Sequence, residues 1–522
     1  MCSENSELEP MSWENLLDDT RKEGNPDDLI PDEFNDKAEL VIPSKYPFKF
    51  DYFNVSACSA VRAMQDKTQV FAFSSSEYTR TRLTHSLEVS SVAEMIISMI
   101  DRYIEYYLNP DNKKLVSKDP KTAKIKRRFI CIQSDFLSRK EDIISVVKTA
   151  SLLHDIGNPP FGHKGEEYLE KTVKKWMDKR INANKSGILS LTDDEKQDLC
   201  AIEGNAQMLR FLLSSDSIKE MKIINPTYAV LSCLMKYTCC DDSIIPNKKR
   251  VHLHKKGFYL SEKDDVENIF EKLGIKCIDN IYVRHPLAFI LEAADDIAYR
   301  TADFEDAFFK GCITEDIISK TLEKIRTSNG GHISYFEENL DTLIKKLSNK
   351  PNNYDRFNII HTWITQLKIQ LIYCTCWSFC ANYNEIMKGT YPNELLLDES
   401  CFHKPTMENL KLMMEQYVYS SKQIKLQDSK AEIIIEKIWD FLTEFIDKGT
   451  PKDFETDSFL KLPYNLRVNL KSLSNKNSDK KSNQKYSFLY CEIRLIIDFI
   501  SCLSDEDAKQ LAEWKDSYNM LG

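Results

Sequence analysis

The chain has 522 residues, 42% of them hydrophobic and 29% charged, with a formal net charge of −10. This composition excludes a disordered polymer and leaves enough chain for one large core with further lobes. The acidic balance excludes a global attraction for nucleic acid or nucleotides, so any anionic ligand must be met by a local basic pocket.

Glycine is scarce, at 14 residues. Stretches rich in Leu, Ile, Lys and Glu outnumber alternating patterns, which predicts an all-α fold. No run of roughly 18 or more apolar residues occurs, so no membrane partner is expected. The 15 cysteines accompany a polar, acidic start, MCSENSELEPMSWENLLDD, and read as reduced thiols of a cytoplasmic protein.

Residues 1–45 are acidic and punctuated by Pro26, Pro31 and Pro43, which predicts a loosely ordered N-terminal arm. From Leu83 onward Leu87, Val92, Met95, Ile96, Met99 and Ile100 recur at helical spacing, giving an amphipathic helix with His85 in its first turn and an end near Asn109-Pro110. The next stretch, with Lys121, Lys124, Lys126, Arg127 and Arg128, reads as a basic, exposed insertion. Ile143, Ile144, Val147, Ala150, Leu152 and Leu153 predict a second helix that runs into His154-Asp155 and stops at Gly157-Asn158-Pro159-Pro160. Residues 286–299 are helical in character and place Asp295, Asp296 and Tyr299 on neighbouring turns. Cys374-Thr-Cys376-Trp-Ser-Phe-Cys380 lies in an apolar helical stretch and reads as buried thiols rather than a zinc site. Residues 471–485, KSLSNKNSDKKSNQK, are low in complexity and read as a mobile loop.

There are 9 histidines, and any one of them alone would read as structural. His85 near a helix start, His154-Asp155 at a helix end and Asp295-Asp296 in a later helix make a different case together. Two imidazoles and two carboxylates form a mixed nitrogen and oxygen donor set that suits Mg²⁺, Mn²⁺, Fe²⁺, Co²⁺ or Zn²⁺.

The separated His, His-Asp and Asp signature resembles the HD phosphohydrolase superfamily, and the text around it resembles the bacterial dGTP triphosphohydrolase family. The matching segments are Arg62–Phe71 (RAMQDKTQVF), Thr79–Val89 (TRTRLTHSLEV), His154–His163 (HDIGNPPFGH), Glu203–Gln207 (EGNAQ), Lys256–Glu262 (KGFYLSE) and Glu292–Tyr299 (EAADDIAY). The likeness covers most of residues 55–310 and thins afterwards to Arg494–Ser501 (RLIIDFIS). It implies a multi-helical HD core over 46–310 with an insertion around 110–140, and a helical C-terminal lobe over 311–522 that completes the pocket and subunit contacts. The implied reaction cleaves a dNTP, above all dGTP, to the deoxynucleoside and tripolyphosphate.

By the same resemblance His85, His154, Asp155 and one of the paired aspartates hold a divalent metal, Mg²⁺ or Mn²⁺ foremost. Asp295 is preferred to Asp296, because Tyr299 and Asp303 then follow four and eight residues later on its face, ready for the sugar or base. His163 and Glu166, three apart at a helix start, form the implied catalytic pair, since a histidine reaches either protonation state near neutrality. The phosphates fall to Arg80, Arg82, Lys236, Lys255 or Lys256 and Arg494, with Arg62 and Lys67 as further members. Gln69, Val70 and Tyr237 match positions near sugar and base, and Asn158 and Glu203 stand behind them.

The family further implies a homo-oligomer, commonly a hexamer, and in some members single-stranded DNA binding. Two departures from the family pattern stand out. DYFNVSACSAV before Arg62 lacks the basic opening, and Cys502-Leu-Ser-Asp505 replaces Gly-Met-Thr-Asp. Two other readings compete with the resemblance: an HD phosphohydrolase acting on another nucleotide, which would need no long phosphate clamp, and a non-catalytic nucleotide sensor, which would not need His163 and Glu166.

Overall fold

The computed structural model describes residues 9–22, 45–69, 80–108, 129–183, 191–214, 224–240, 250–328, 345–347, 349, 353–398, 401, 403–447, 457–478 and 485–521. Among these the fold is helical throughout, apart from a two-stranded hairpin, Cys277–Ile278 with Ile281–Tyr282. Its turn residues Asp279 and Asn280 both have positive φ, as a tight two-residue hairpin demands. No described helix is long and apolar enough to cross a membrane. Val70, the end of the first long helix near Asn109-Pro110 and the basic residues 121–128 lie outside the described residues.

Six helices build the first core: α1 (Pro47–Ala57), α2 (Arg82–Leu108), α3 (Lys140–Leu153), α4 (Tyr228–Leu234), α5 (Pro286–Phe309) and α6 (Asn353–Met387). In α2 the buried side chains Val89, Val92, Ala93, Ile96, Ile97, Ile100 and Ile104 form the inward stripe. Leu87 and Met95, expected on that stripe, are instead 50% and 49% exposed. Glu141 and Asp142 in the first turn of α3 offset its helix dipole, and Ile143, Val146, Val147, Ala150 and Leu153 bury its inner face. Pro286 opens α5 with φ already set for a helix.

A second core gathers α7 (Gly162–Asn182), α8 (Lys422–Asp447), the helix Tyr464–Ser478 and α9 (Phe488–Cys502). The boundary between the cores does not follow the chain: α6 lies late in sequence yet joins the first, while α7 lies early and joins the second. The predicted loop 471–485 is corrected in its first half, because the helix continues to Ser478. Leu466, Leu470 and Leu473 recur four and three residues apart, and their burial holds the Ser, Asn and Lys positions between them in a helix.

The segment 9–22 is fastened to the first core. Trp13 Nε1 donates to the Tyr383 hydroxyl at 2.7 Å, and His285 Nε2 lies 3.1 Å from the Leu16 carbonyl. His285 also caps α5, where Nδ1 accepts from the Leu287 amide at 3.1 Å. A ring that accepts at one nitrogen and donates at the other must be neutral, and burial lowers its pKa to about 4. The unfolded state binds the proton more readily, so this stabilisation is complete above about 6.5 and is lost as pH falls towards 4, about 2 kcal/mol of it by pH 5. His285→Asn keeps an acceptor and a donor but cannot be protonated. It should therefore lose less stability than the natural protein between pH 7 and pH 5, read from urea midpoints; equal losses would remove His285 as the cause.

Candidate active site and metal centre

Three helices of the first core deliver the metal-type ligands. The first turn of α2 supplies His85, the end of α3 supplies His154 and Asp155, and the middle of α5 supplies Asp295. His85 Nε2 lies 3.0 Å and His154 Nε2 3.6 Å from Asp295 Oδ1. Donor atoms of these three residues all fall within 4.8 Å of one another. Asp155 Oδ2 stands 3.8 Å from His154 Nε2.

The residues fit a divalent cation. His154 Nδ1 lies 2.7 Å from the Ser151 carbonyl, which assigns the proton to Nδ1 and turns Nε2 inward. His154 Nε2 and Asp155 Oδ2 are buried with no hydrogen-bond partner, a costly arrangement that a cation would relieve. Burial opposes charge on the His154 ring, yet the carboxylates of Asp155 and Asp295 raise its pKa to about 9. Burial likewise opposes charge on Asp295, but the His154 and His85 imidazoles beside it hold it well below the usual carboxylate range. The cluster thus attracts positive charge. Asp296 turns away and accepts from Arg300 at 3.3 Å, which separates the two aspartates that sequence left adjacent.

Asp155 is held from two sides, by Arg82 Nη1 at 2.9 Å and Asn158 Nδ2 at 2.5 Å. The loop that follows is fixed by close packing. A Cβ on Gly204 would lie 2.3 Å from Asn158 Oδ1, and one on Gly165 would lie 1.8 Å from the Pro160 carbonyl. Only glycine fits at 165, where the contact is with backbone, while a side chain at 204 would displace the Asn158 amide from Asp155. The chain enters α7 through Phe161 and Gly162, both at positive φ.

His163 and Glu166 sit on the first turn of α7 and line, with Lys255, a pocket of ≈ 910 Å³. Among the described hydrogen bonds none joins His163 to Glu166; Glu166 accepts the Gly204 amide at 3.1 Å instead. Burial and the neighbouring Glu203 carboxylate raise the Glu166 pKa to about 7. His163 is exposed at the pocket, yet desolvation of its ring, and then the charges of Arg82 and Lys255, hold its pKa below the ordinary value. Lys255 Nζ pairs with Glu203 Oε1 at 3.3 Å.

Lys236 Nζ lies 3.2 Å from Glu292 Oε1 and 5.8 Å from the Tyr237 ring centroid. The charges of Glu292, Asp296 and Asp295 hold Lys236 protonated against the cost of burial. Tyr299 packs edge-on to His85, ring centroids 6.5 Å apart, and Asp303 follows one turn later on α5. Gln69 approaches the α7 entry through its carbonyl, 3.2 Å from a Cβ built on Gly162, and its Oε1 is buried without a partner.

Three further expected phosphate cations are ion-paired, as Lys236 and Lys255 are. Arg80 pairs with Glu305 and with Asp306 at 2.6 Å, and lies 3.4 Å from Glu88. Lys256 and Arg494 are buried and converge on Asp198, at 3.1 Å and 2.7 Å. Both therefore meet at the helix Asp193–Leu199, which carries Asp198, and Arg494 ties that helix to α9. Arg62 is exposed and donates to the Ala57 carbonyl at 2.5 Å, while Lys67 donates to the carbonyls of Asn158 at 2.8 Å and Ser501 at 2.6 Å.

Two residues escaped the sequence reading. Asp505 accepts from the Phe161 amide at 2.9 Å and from the Thr68 hydroxyl at 2.6 Å, so it clamps the loops on both sides of the site. The residue was noticed only as part of an altered C-terminal motif. Tyr419 donates to Asp303 Oδ2 at 2.7 Å, and nothing in the text around it signalled this.

The HD domain family model matches residues 82–189, a span that holds His85, His154, Asp155, His163 and Glu166 but not Asp295. The chain is 30% identical over 508 residues to a deoxyguanosinetriphosphate triphosphohydrolase-like protein of Listeria monocytogenes, covering 96% of this chain and 98% of that protein. It is 27% identical over 518 residues to a deoxyguanosinetriphosphate triphosphohydrolase of Salmonella paratyphi A, covering 91% and 93%. A deoxyguanosinetriphosphate triphosphohydrolase-like protein of Synechocystis is 28% identical over 448 residues, covering 84% and 87%.

Proposed function

The chain belongs to the deoxyguanosinetriphosphate triphosphohydrolase family of the HD superfamily, and from that premise we propose that it hydrolyses dNTPs, dGTP foremost, to deoxynucleoside and tripolyphosphate. The observation that carries the reading is a juxtaposition: ligands for a divalent ion on the first core face His163 and Glu166 on the second, with Arg82 between Asp155 and the turn into α7. His85, His154, Asp155 and Asp295 would hold the ion, Mg²⁺ or Mn²⁺ foremost. When bound, such an ion polarises a phosphoryl oxygen and makes water more acidic.

Hydrolysis breaks the bond between the α-phosphorus and O5′, places the water oxygen on phosphorus and delivers one proton to O5′. His163, neutral at physiological pH, accepts a proton from water and returns it to O5′. Glu166, whose pKa burial and Glu203 raise to about 7, stands on the same helical turn and would support that transfer. Arg82, Lys236 and Lys255 meet the phosphate chain, and Arg82 brings an Nε that is buried without a partner. Tyr299 and Asp303 take the sugar. Gln69 and Tyr237 lie towards the base, where the resemblance also assigns Val70, while Asn158 and Glu203 hold the site's walls. A cytoplasmic homo-oligomer, hexameric by the same resemblance, completes the reading.

Incubation with each dNTP and Mg²⁺ or Mn²⁺, with products resolved by ion exchange, is the test. Deoxyguanosine and intact tripolyphosphate are the expected products of dGTP. Primary formation of dGMP with pyrophosphate, or of dGDP with orthophosphate, would overturn the reading.

A further inference from the structure

Between the helix Lys404–Met414 and α8 the chain makes a single π-helical turn, Glu415–Tyr419. Such turns insert an extra residue into a helix and recur at functional sites. Here the turn ends on Tyr419, whose hydroxyl lies 3.0 Å from the Tyr299 hydroxyl and 2.7 Å from Asp303 Oδ2. Tyr419 donates its one proton to the carboxylate, and the Tyr299 hydroxyl contacts both Tyr419 and Asp303, so the three side chains form one hydrogen-bonded group.

We propose that Tyr419 is a positioning residue that fixes Asp303 and Tyr299 for the 3′-hydroxyl of the deoxyribose. This rests on the dNTP reading above. Asp303 is buried, and burial, with the Asp306 carboxylate nearby, raises its pKa to about 7. Tyr299, on the same helix, is one partner of that carboxylate, and a donor from outside α5 adds a second direction that keeps the group turned. Tyr419 is that donor, and it comes from a different helix than the two residues it holds.

The same element reaches the reacting end. α8, which begins just past Tyr419, packs along α7, where Lys171 pairs with Glu432 and Lys175 with Glu436, the latter at 2.8 Å. The helix that positions the sugar contacts is thus seated on the helix that carries His163.

The test compares binding of dGTP and 2′,3′-dideoxyGTP, which lacks the 3′-hydroxyl, by calorimetry. His163→Ala is the parent protein, so that turnover does not consume the ligand. The parent should bind dGTP more tightly, and adding Tyr419→Phe should weaken dGTP about tenfold while leaving the dideoxy ligand nearly unchanged, as expected when a charge-assisted contact loses its support. Equal weakening of both ligands would show a merely structural role, and an unchanged preference would show none; either overturns the inference. Absence of any preference in the parent overturns it too. Failure of the natural protein to hydrolyse any dNTP would instead count against the proposed function, whatever the binding ratio.

Discussion

Asp295→Asn should strip the protein of bound divalent metal and lower dNTP turnover by at least ~10³-fold, beyond the 10–100-fold typical of residues behind a ligand. The substitution conserves side-chain size, so helical content should stay as it is. What it removes is the charge between two imidazoles, 3.0 Å from His85 Nε2 and 3.6 Å from His154 Nε2. In a buried site a neutral amide cannot offset a cation, and the histidines lose the carboxylate that turns them into a cation trap. Asp296→Asn is the matched control. Its carboxylate faces Arg300 at 3.3 Å, so metal content should be unchanged. Metal analysis of the two purified variants decides between the neighbours; loss of metal in Asp296→Asn with full occupancy in Asp295→Asn would reverse the assignment.

The features that sequence displayed well are those with a local physical signature. The stripe Ile143, Val147, Ala150 and Leu153 has the period of a helix, and Gly157-Asn158-Pro159-Pro160 stops it just past His154-Asp155. The preference for Asp295 rested on a face shared with Tyr299 and Asp303, and the structure places all three on α5 as that spacing requires. Charge pairing has no such signature. The pairing of Arg80 with Glu305 and Asp306, more than two hundred residues away, and of Lys256 and Arg494 with the distant Asp198 could not be read from the residues around each cation. The same blindness hid the two-core arrangement, since α7 follows the metal ligands in sequence yet packs against the C-terminal helices. In 471–478 composition misled: the eye caught Ser, Asn and Lys, whereas the three leucines at helical spacing decided the structure.

His163→Ala should leave metal and dNTP binding intact and lower turnover by roughly 10²–10⁴-fold, the scale of a lost proton-transfer group. The argument that His163 is not a ligand is electrostatic as well as geometric. It stands outside the cluster formed by His85, His154 and Asp295, and of the charges that bear on its ring after desolvation the cations Arg82 and Lys255 come ahead of the carboxylates of Asp155 and Glu203. A metal ion drawn to His163 would be repelled by the two groups proposed to meet phosphate. The same cations lower the pKa of the ring and keep it a base at neutral pH, so the acid limb of kcat/KM should fall below the ordinary imidazole value of about 6.5. Glu166, near 7 and bound to the Gly204 amide, acts through a different contact, so Glu166→Gln should cost less than His163→Ala. Metal content, dGTP affinity and turnover measured together on His163→Ala decide the matter: if the metal leaves with the imidazole, His163 is a ligand and the division between the two cores fails.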